Sequence, residues 1–162
     1  MIRVLVVDDS PICREVLTDQ LEHEGDIMVA GEAESGEQAI DRIAELAPDV
    51  VTLDIQMPGM GGLAAIEALM VHFPRPILVV TGLDTRERDL AVAATRRGAL
   101  ALASKAAYSD LVGAAHLRTS VRRLAAIRVD ARDPGERSQR TRVAWPNPAP
   151  SSATPILAIG CS

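Results

Sequence analysis

Val50-Val51-Thr52-Leu53-Asp54-Ile55-Gln56-Met57-Pro58-Gly59-Met60-Gly61-Gly62 reads as a buried strand with an acid at its tip, followed by a turn that empties into a helix. The opening run is too short for a helix and rich in β-branched residues, which suit a pleated surface. It lacks polar alternation, so apolar partners are expected on both of its faces. Beyond Gly62, Leu63, Ile66, Leu69 and Met70 share one helical face. The same unit recurs along the chain. Val4-Leu5-Val6-Val7, Ile27-Met28-Val29-Ala30, Pro76-Ile77-Leu78-Val79-Val80 and Ala99-Leu100-Ala101-Leu102-Ala103 are the other strand candidates. Helical start signals stand at Ser10 before Pro11, at Ser35-Gly36-Glu37, at Thr85 before Arg86-Glu87 and at Ser109-Asp110 before Leu111. For the last helix the expected apolar stripe is Leu111, Ala115, Val121, Leu124 and Ala125. Five βα repeats of this kind predict an α/β fold, a parallel sheet with helices on both faces.

The chain has 162 residues, 48% hydrophobic and 24% charged, which suits one globular domain of about 100–150 residues with little chain left over. No apolar run approaches the roughly 18–20 residues that cross a bilayer. Met1-Ile2-Arg3-Val4 enters a strand-like run without a charged leader, so a cytoplasmic chain with no membrane insertion is expected. Cys13 and Cys161 are too few and too far apart for a disulfide scaffold or a zinc cluster, and read as free thiols. With 17 basic and 22 acidic residues the net charge is −5, and the aromatics are only Phe73, Tyr108 and Trp145. Neither bulk charge nor stacking platforms therefore favour nucleic acid as a ligand. Of the basic residues 16 are Arg, and Lys105 is the only lysine. Either codon usage favours Arg, or an ammonium is needed where a guanidinium would not serve.

After Arg128 the character changes. Residues 129–154 hold Asp, Arg, Ser and Pro with hardly any apolar periodicity and read as an extended, flexible linker. Residues 1–128 carry 13 basic and 19 acidic side chains, whereas residues 129–162 carry 4 and 3. A new apolar run, Pro155-Ile156-Leu157-Ala158-Ile159-Gly160-Cys161-Ser162, then begins. We expect the chain to be the N-terminal part of a longer protein, cut at the first strand of its next domain.

Each expected strand ends in something polar, and in an open α/β sheet all carboxyl ends lie on one edge. Asp8, Asp9, Asp54, Thr81 and Lys105 should therefore converge. Any one Asp after a strand also reads as a turn or cap residue, but polar groups at so many strand ends point to a shared site. Two carboxylates about 4 Å apart repel by roughly 4 kcal/mol at an effective dielectric near 20, so the cluster holds either protons or a cation. Mg²⁺ suits it, because that ion takes oxygen ligands and usually accompanies a phosphate. Lys105 adds a movable positive charge and Thr81 a hydroxyl, which completes a phosphoryl-transfer site. Asp54 is the expected nucleophile, since its strand is central.

Asp8-Asp9-Ser10, the stretch from Leu53 to Gly62, Val80-Thr81-Gly82 and Lys105 closely resemble the receiver domain of bacterial two-component response regulators. The resemblance spans residues 2–128, making 1–128 the receiver, and implies a flavodoxin-like, doubly wound sheet of five parallel strands in the order 2-1-3-4-5. It further implies that Asp54 takes a phosphoryl group from a histidine kinase and that Asp8, Asp9, Asp54 and the backbone carbonyl of Gln56 hold Mg²⁺. Thr81 would move toward the phosphoryl oxygen, Lys105 would be its countercharge, and the small Gly82 would leave the group accessible. Two positions depart from the family. Ala106 follows Lys105 where receivers typically carry Pro, and Leu102 stands where many carry an aromatic residue that swings inward. Without that aromatic, a phosphorylation-driven shift runs through Thr81 and packing alone.

The run from Ile156 to Ser162, after its Pro-rich linker, looks like the opening strand of the esterase domain in chemotaxis protein-glutamate methylesterases. Residues 155–162 would then be a truncated first strand and Ser162 the match to the esterase nucleophile. The implied partners are the chain's own or a cognate methylesterase domain, and chemoreceptors through the parent protein. Ser162 has no His and Asp partners here, so no esterase activity is expected of this chain. Two other readings stay open. One is a stand-alone interaction switch; the other is an aspartyl-phosphate phosphatase, which commonly places a second acid where Gln56 stands.

Other signals carry less. His23, His72 and His116 lack metal-ligand spacing and read as solvent-facing helix residues. The Gly59–Gly62 loop lacks the Lys-Ser/Thr of a phosphate-cradling loop. Arg96-Arg97 and Arg122-Arg123 read as solvated faces, and Met57 and Met60 as packing.

Overall fold

Strands form where the apolar runs lie, and helices where the start signals stand. The order is β1 (Ile2–Val7), α1 (Pro11–Glu22), β2 (Ile27–Ala33), α2 (Gly36–Leu46), β3 (Val50–Asp54), α3 (Gly61–His72), β4 (Ile77–Thr81), α4 (Thr85–Arg97), β5 (Ala101–Ser104) and α5 (Leu111–Ala125). This computed structural model describes residues 1–81, 85–105 and 110–129. Gly82, Ala106 and residues 130–162, which include nearly all of the expected linker and the terminal strand with Ser162, lie outside the described residues.

The strands form one sheet in the order β2-β1-β3-β4-β5, and every neighbouring pair is parallel. The three inner strands are buried on both faces, as their unalternating sequence requires: Val4 to Val7, Val50 to Asp54 and Ile77 to Val80 are all buried. One face packs on α1 and α5 through Leu17, Leu21, Leu117, Val121 and Leu124. The other packs on α2, α3 and α4 through Ala39, Ile43, Ile66, Leu69 and Ala94. Helices thus cover both faces, and the chain is doubly wound.

Caps fix where the helices begin. The Ser10, Ser35 and Asp110 side chains accept from the backbone N–H groups of Cys13, Gln38 and Gly113, satisfying donors that have no partner within the helix. Pro11 occupies the first turn of α1, where a missing N–H costs nothing. Among the described residues no helix is long and apolar enough to cross a membrane.

Several expectations need correction, among them the start of β5, which begins at Ala101 rather than Ala99. Strand β2 continues past Ala30 to Ala33, because Gly31, Glu32 and Ala33 pair with Leu5, Val6 and Val7 beyond an irregularity between Val4 and Leu5. In α5 the expected stripe is out of phase at its start: Leu111 is 84% exposed and Ala115 is exposed. The buried face instead runs through Gly113, Ala114, Leu117, Arg118, Val121 and Leu124. A buried Arg broke the apolar pattern.

Arg118 closes the end of α1 from that position. Its Nη1 donates to the Gln20 carbonyl at 2.9 Å and its Nε to Glu24 Oε1 at 2.9 Å, while α1 has no basic residue in its own last turn. Carbonyls there lack helical partners and favour a positive charge. Arg122 adds bonds to Glu24 and Asp26, so it is tied to the α1–β2 turn rather than being a merely solvated residue. Arg118→Ala should destabilise the domain by about 2 kcal/mol through the lost charged hydrogen bonds and stem packing. Thermal unfolding measures this, and the drop should exceed that of the more exposed Arg122→Ala.

Candidate functional site

Parallel strands end on the same edge, so residues from distant parts of the chain meet at one rim. Asp8 and Asp9 follow β1, Asp54 closes β3, Thr81 closes β4 and Lys105 follows β5. Lys105 reaches over β4 and places Nζ 2.6 Å from Asp54 Oδ2 and 3.0 Å from Asp8 Oδ2. It does so with Ala106 as its successor. Thr81 sits on the same edge, opposite Ser104 of β5, and Leu102 packs partly buried against the core beneath.

Backbone donors aim the carboxylates. The Gln56 N–H donates to Asp54 Oδ1 at 3.1 Å, and the Ser10 N–H to Asp8 Oδ1 at 2.9 Å. Each Asp therefore turns its other oxygen toward Lys105. Asp8 is fully buried and Asp54 nearly so, whereas Asp9 is exposed. Burial pushes the Asp54 carboxyl above its ordinary value, and the hydrogen bonds from Lys105 and Gln56 offset that only in part. Burial also works against the Lys105 ammonium, but its hydrogen bond to Asp54 and its close approach to the Asp8 carboxylate outweigh this and hold its pKa above the usual lysine range.

Among the described residues, Asp8 Oδ2, Thr52 Oγ1 and Ser104 Oγ are buried without a hydrogen-bond partner, and the first of them is charged. Asp8 Oδ2 faces Lys105 as an ion pair, yet it is buried with no aligned donor. A buried carboxylate oxygen left in that state is costly unless something else meets it. Asp8, Asp9 and Asp54 each offer an oxygen, and these lie within 4.8 Å of one another. Carboxylates so close, countered by a single ammonium, fit a small hard divalent cation that takes oxygen ligands and keeps several waters. Beside them a cavity of about 140 Å³ runs along α1, lined by Asp8, Ile12, Cys13, Val16, Leu17, Val80 and Lys105.

Neighbouring elements hold the loops. From α2, the Glu37 carboxylate accepts from the Met60 N–H at 2.8 Å and steadies the turn between β3 and α3. From α1, Arg14 Nη1 donates to the Asp8 carbonyl at 2.7 Å. The structure thus brings together Asp8, Asp9, Asp54 and Lys105, with Thr81 on the same rim. It adds Arg14 and Glu37, which the sequence does not single out as site residues. Glu37 shows in the sequence only as an acid at a helix start, and its partner is 23 residues away. Met57 is buried in the core. His23, His72 and His116 are exposed as expected.

Known proteins resemble this chain in sequence and in fold. The family model of the response regulator receiver domain matches residues 4–115. A protein-glutamate methylesterase/protein-glutamine glutaminase 2 from Methanospirillum hungatei JF-1 is 46% identical over 112 residues, covering 68% of this chain and 32% of that protein. A protein-glutamate methylesterase/protein-glutamine glutaminase from Bacillus licheniformis is 42% identical over 105 residues, covering 65% of this chain and 29% of its own length. The chain spans about a third of the length of these curated relatives. Among solved structures, the response regulator domain of Thermotoga maritima CheB superposes with a TM-score of 0.71 at 33% identity, over 79% of this chain and 98% of that one.

Proposed function

Because the chain belongs to the response regulator receiver domain family, we propose that it is the phosphoacceptor of a two-component phosphorelay, taking a phosphoryl group onto Asp54 from a histidine kinase. The observation that carries this reading is the Lys105 ammonium set between the buried Asp8 and Asp54 carboxylates, with Asp9 close by. In the transfer an Asp54 oxygen bonds to phosphorus while the P–N bond of a donor phosphohistidine breaks, and the imidazole leaves with a proton. Asp8, Asp9, Asp54 and the Gln56 carbonyl are the residues that would hold magnesium. That ion, when bound, supplies positive charge against the phosphoryl oxygens. Lys105 shifts its ammonium from the Asp54 carboxylate to the incoming phosphoryl group, which a flexible four-carbon stem permits. The Thr81 hydroxyl then donates to a phosphoryl oxygen.

The relatives' names supply the setting. In this reading the receiver is the cytoplasmic regulatory part of a chemoreceptor glutamate methylesterase and controls an attached esterase domain.

Incubation with phosphoramidate and Mg²⁺ followed by intact mass tests the proposal. One phosphoryl adduct should form on the chain and should not form when EDTA replaces the metal. No adduct at any magnesium concentration would overturn the reading. Magnesium alone should also stabilise the fold, because it relieves the carboxylate cluster. At a concentration of a hundred times its Kd the gain is about 2.7 kcal/mol, read as a higher Tm in magnesium than in EDTA. An unchanged Tm at saturating magnesium counts against the metal site.

A further inference from the structure

We propose that Arg14 is a positioning residue for the metal site, holding the Asp8–Asp9 backbone from the side of edge strand β2. The proposal rests on reading Asp8, Asp9 and Asp54 as magnesium ligands. The ladder between β1 and β2 ends with Val7 opposite Ala33, and the Asp8 N–H makes one last bond to the Ala33 carbonyl at 3.1 Å. Beyond that rung β2 stops and the chain turns into α2, so no strand is left to meet the Asp8 carbonyl. Arg14 Nη1 takes that place at 2.7 Å.

The guanidinium is itself anchored. Its Nε donates to Glu32 Oε2 at 2.9 Å, and Glu32 lies on β2 opposite Val6. Thr18 Oγ1 supports Glu32 at its other oxygen at 3.3 Å. Only 16% of the Arg14 side chain is exposed, so water competes little for these bonds. The planar fork has one prong on the edge strand and one on the tip of β1, an arrangement that a single ammonium cannot copy.

The clamp matters because of what it leaves to the backbone. The Asp8 carbonyl and the Asp9 N–H belong to one rigid peptide plane, so fixing the carbonyl fixes the direction in which Asp9 leaves the strand. The Asp8 carboxylate has its own tether to the Ser10 N–H. Asp9 is exposed and its carboxylate makes no hydrogen bond to a described residue, so among the described residues its oxygen is placed through the backbone. Outer groups that orient ligands in this way commonly set metal affinity.

Calorimetric titration of the whole chain with magnesium alone provides the test. Arg14→Met keeps a stem of similar bulk but donates nothing, and its Kd for Mg²⁺ should be about ten-fold weaker. The initial rate of labelling by phosphoramidate at saturating magnesium should stay within about two-fold of wild type, since the loss lies in binding rather than in the chemical step. Arg118→Ala destabilises the domain from the far end of α1, away from Asp8 and Glu32, and should leave the Kd unchanged, which separates positioning from general destabilisation. A folded Arg14→Met with wild-type Kd overturns the proposal. If Arg14→Met does not fold, Arg14→Lys decides by the same comparison: its ammonium reaches Asp8 or Glu32 but not both, so its Kd must still exceed that of wild type. A wild type that takes up no magnesium would instead remove the metal-site reading on which the proposal stands.

Discussion

Treatment of Asp54→Asn with phosphoramidate and Mg²⁺ should leave its intact mass unchanged, while wild type gains one phosphoryl group. Asn has the shape of Asp and keeps an oxygen for the Gln56 N–H, so the turn after β3 should hold. What is lost is the charged oxygen now 2.6 Å from Lys105, and a neutral amide is no nucleophile. Removing a nucleophile outright lowers rates by about 10⁴-fold or more, below detection in such an assay. An adduct of equal yield on Asp54→Asn would move the acceptor to another residue. The pH dependence has a definite sign. Burial holds the Asp54 carboxyl above 3.8 in the folded state, so the native state binds this proton more tightly than the unfolded chain does. The stabilisation from the protonated form is fully present below the unfolded value and is lost as pH rises through the folded one. At neutral pH without magnesium, the ionised Asp54 therefore works against the fold. Asp54→Asn should then melt above wild type in EDTA, and magnesium should raise the Tm of wild type more than that of the variant.

The inner strands were legible for a physical reason: β1, β3 and β4 are buried on both faces, and that condition writes itself into sequence as a run without alternation. Edge strands are under no such condition. The partner-side residues of β2 include Gly31 and Glu32, whose pairing with Leu5 and Val6 has no apolar signature. The phase of α5 was hidden similarly, because Arg118 satisfies its charge on Glu24 and Gln20 inside the face that an apolar count assigns to solvent. The acids and the lysine of the site could be foreseen because a parallel sheet brings its strand ends to one edge, whatever their separation in sequence. Their supports could not. Nothing in the spacing of Asp8 and Arg14 says that a guanidinium replaces a missing rung, since that depends on where β2 stops. Likewise, Glu37 holds Met60 only because α2 and α3 lie side by side.

The turn between β3 and α3 carries the second large effect, and two adjacent glycines there answer to different demands. Gly61 has φ +72° and open space within 4 Å of where a Cβ would stand, so it is required for conformation alone. Gly62 has an ordinary backbone but no room: a Cβ would lie 2.5 Å from the Asp54 carbonyl oxygen and 2.5 Å from Ile55 Cα. These are backbone atoms of the strand end that bears the acceptor, so neither can turn aside as a side chain would. The Gly62 N–H also donates to the Ile55 carbonyl at 3.2 Å, which ties the first turn of α3 to the same point. Gly62→Ala gains helix propensity of about 1 kcal/mol, but relief of the contact must push α3 away from β3 and open the layer formed by Ile66 and Leu69. Overpacking against fixed atoms costs up to about 3 kcal/mol or more, so the net loss should be about 2 kcal/mol. For a domain of this size that is a fall in Tm of roughly 7 °C. The displacement passes through Ile55 to Gln56, whose N–H orients Asp54, so labelling by phosphoramidate should slow even where the variant remains folded. Gly61→Ala is the internal comparison. It meets only the strain of a left-handed conformation, about 1–2 kcal/mol, and has no contact to relieve against Asp54 or Ile55. The close approach of α3 to the acceptor strand is therefore tested by the difference between neighbours: Gly62→Ala must lose more labelling rate than Gly61→Ala at matched fraction folded, and equal losses would mean that the turn's conformation, not the spacing of helix and strand, sets the acceptor.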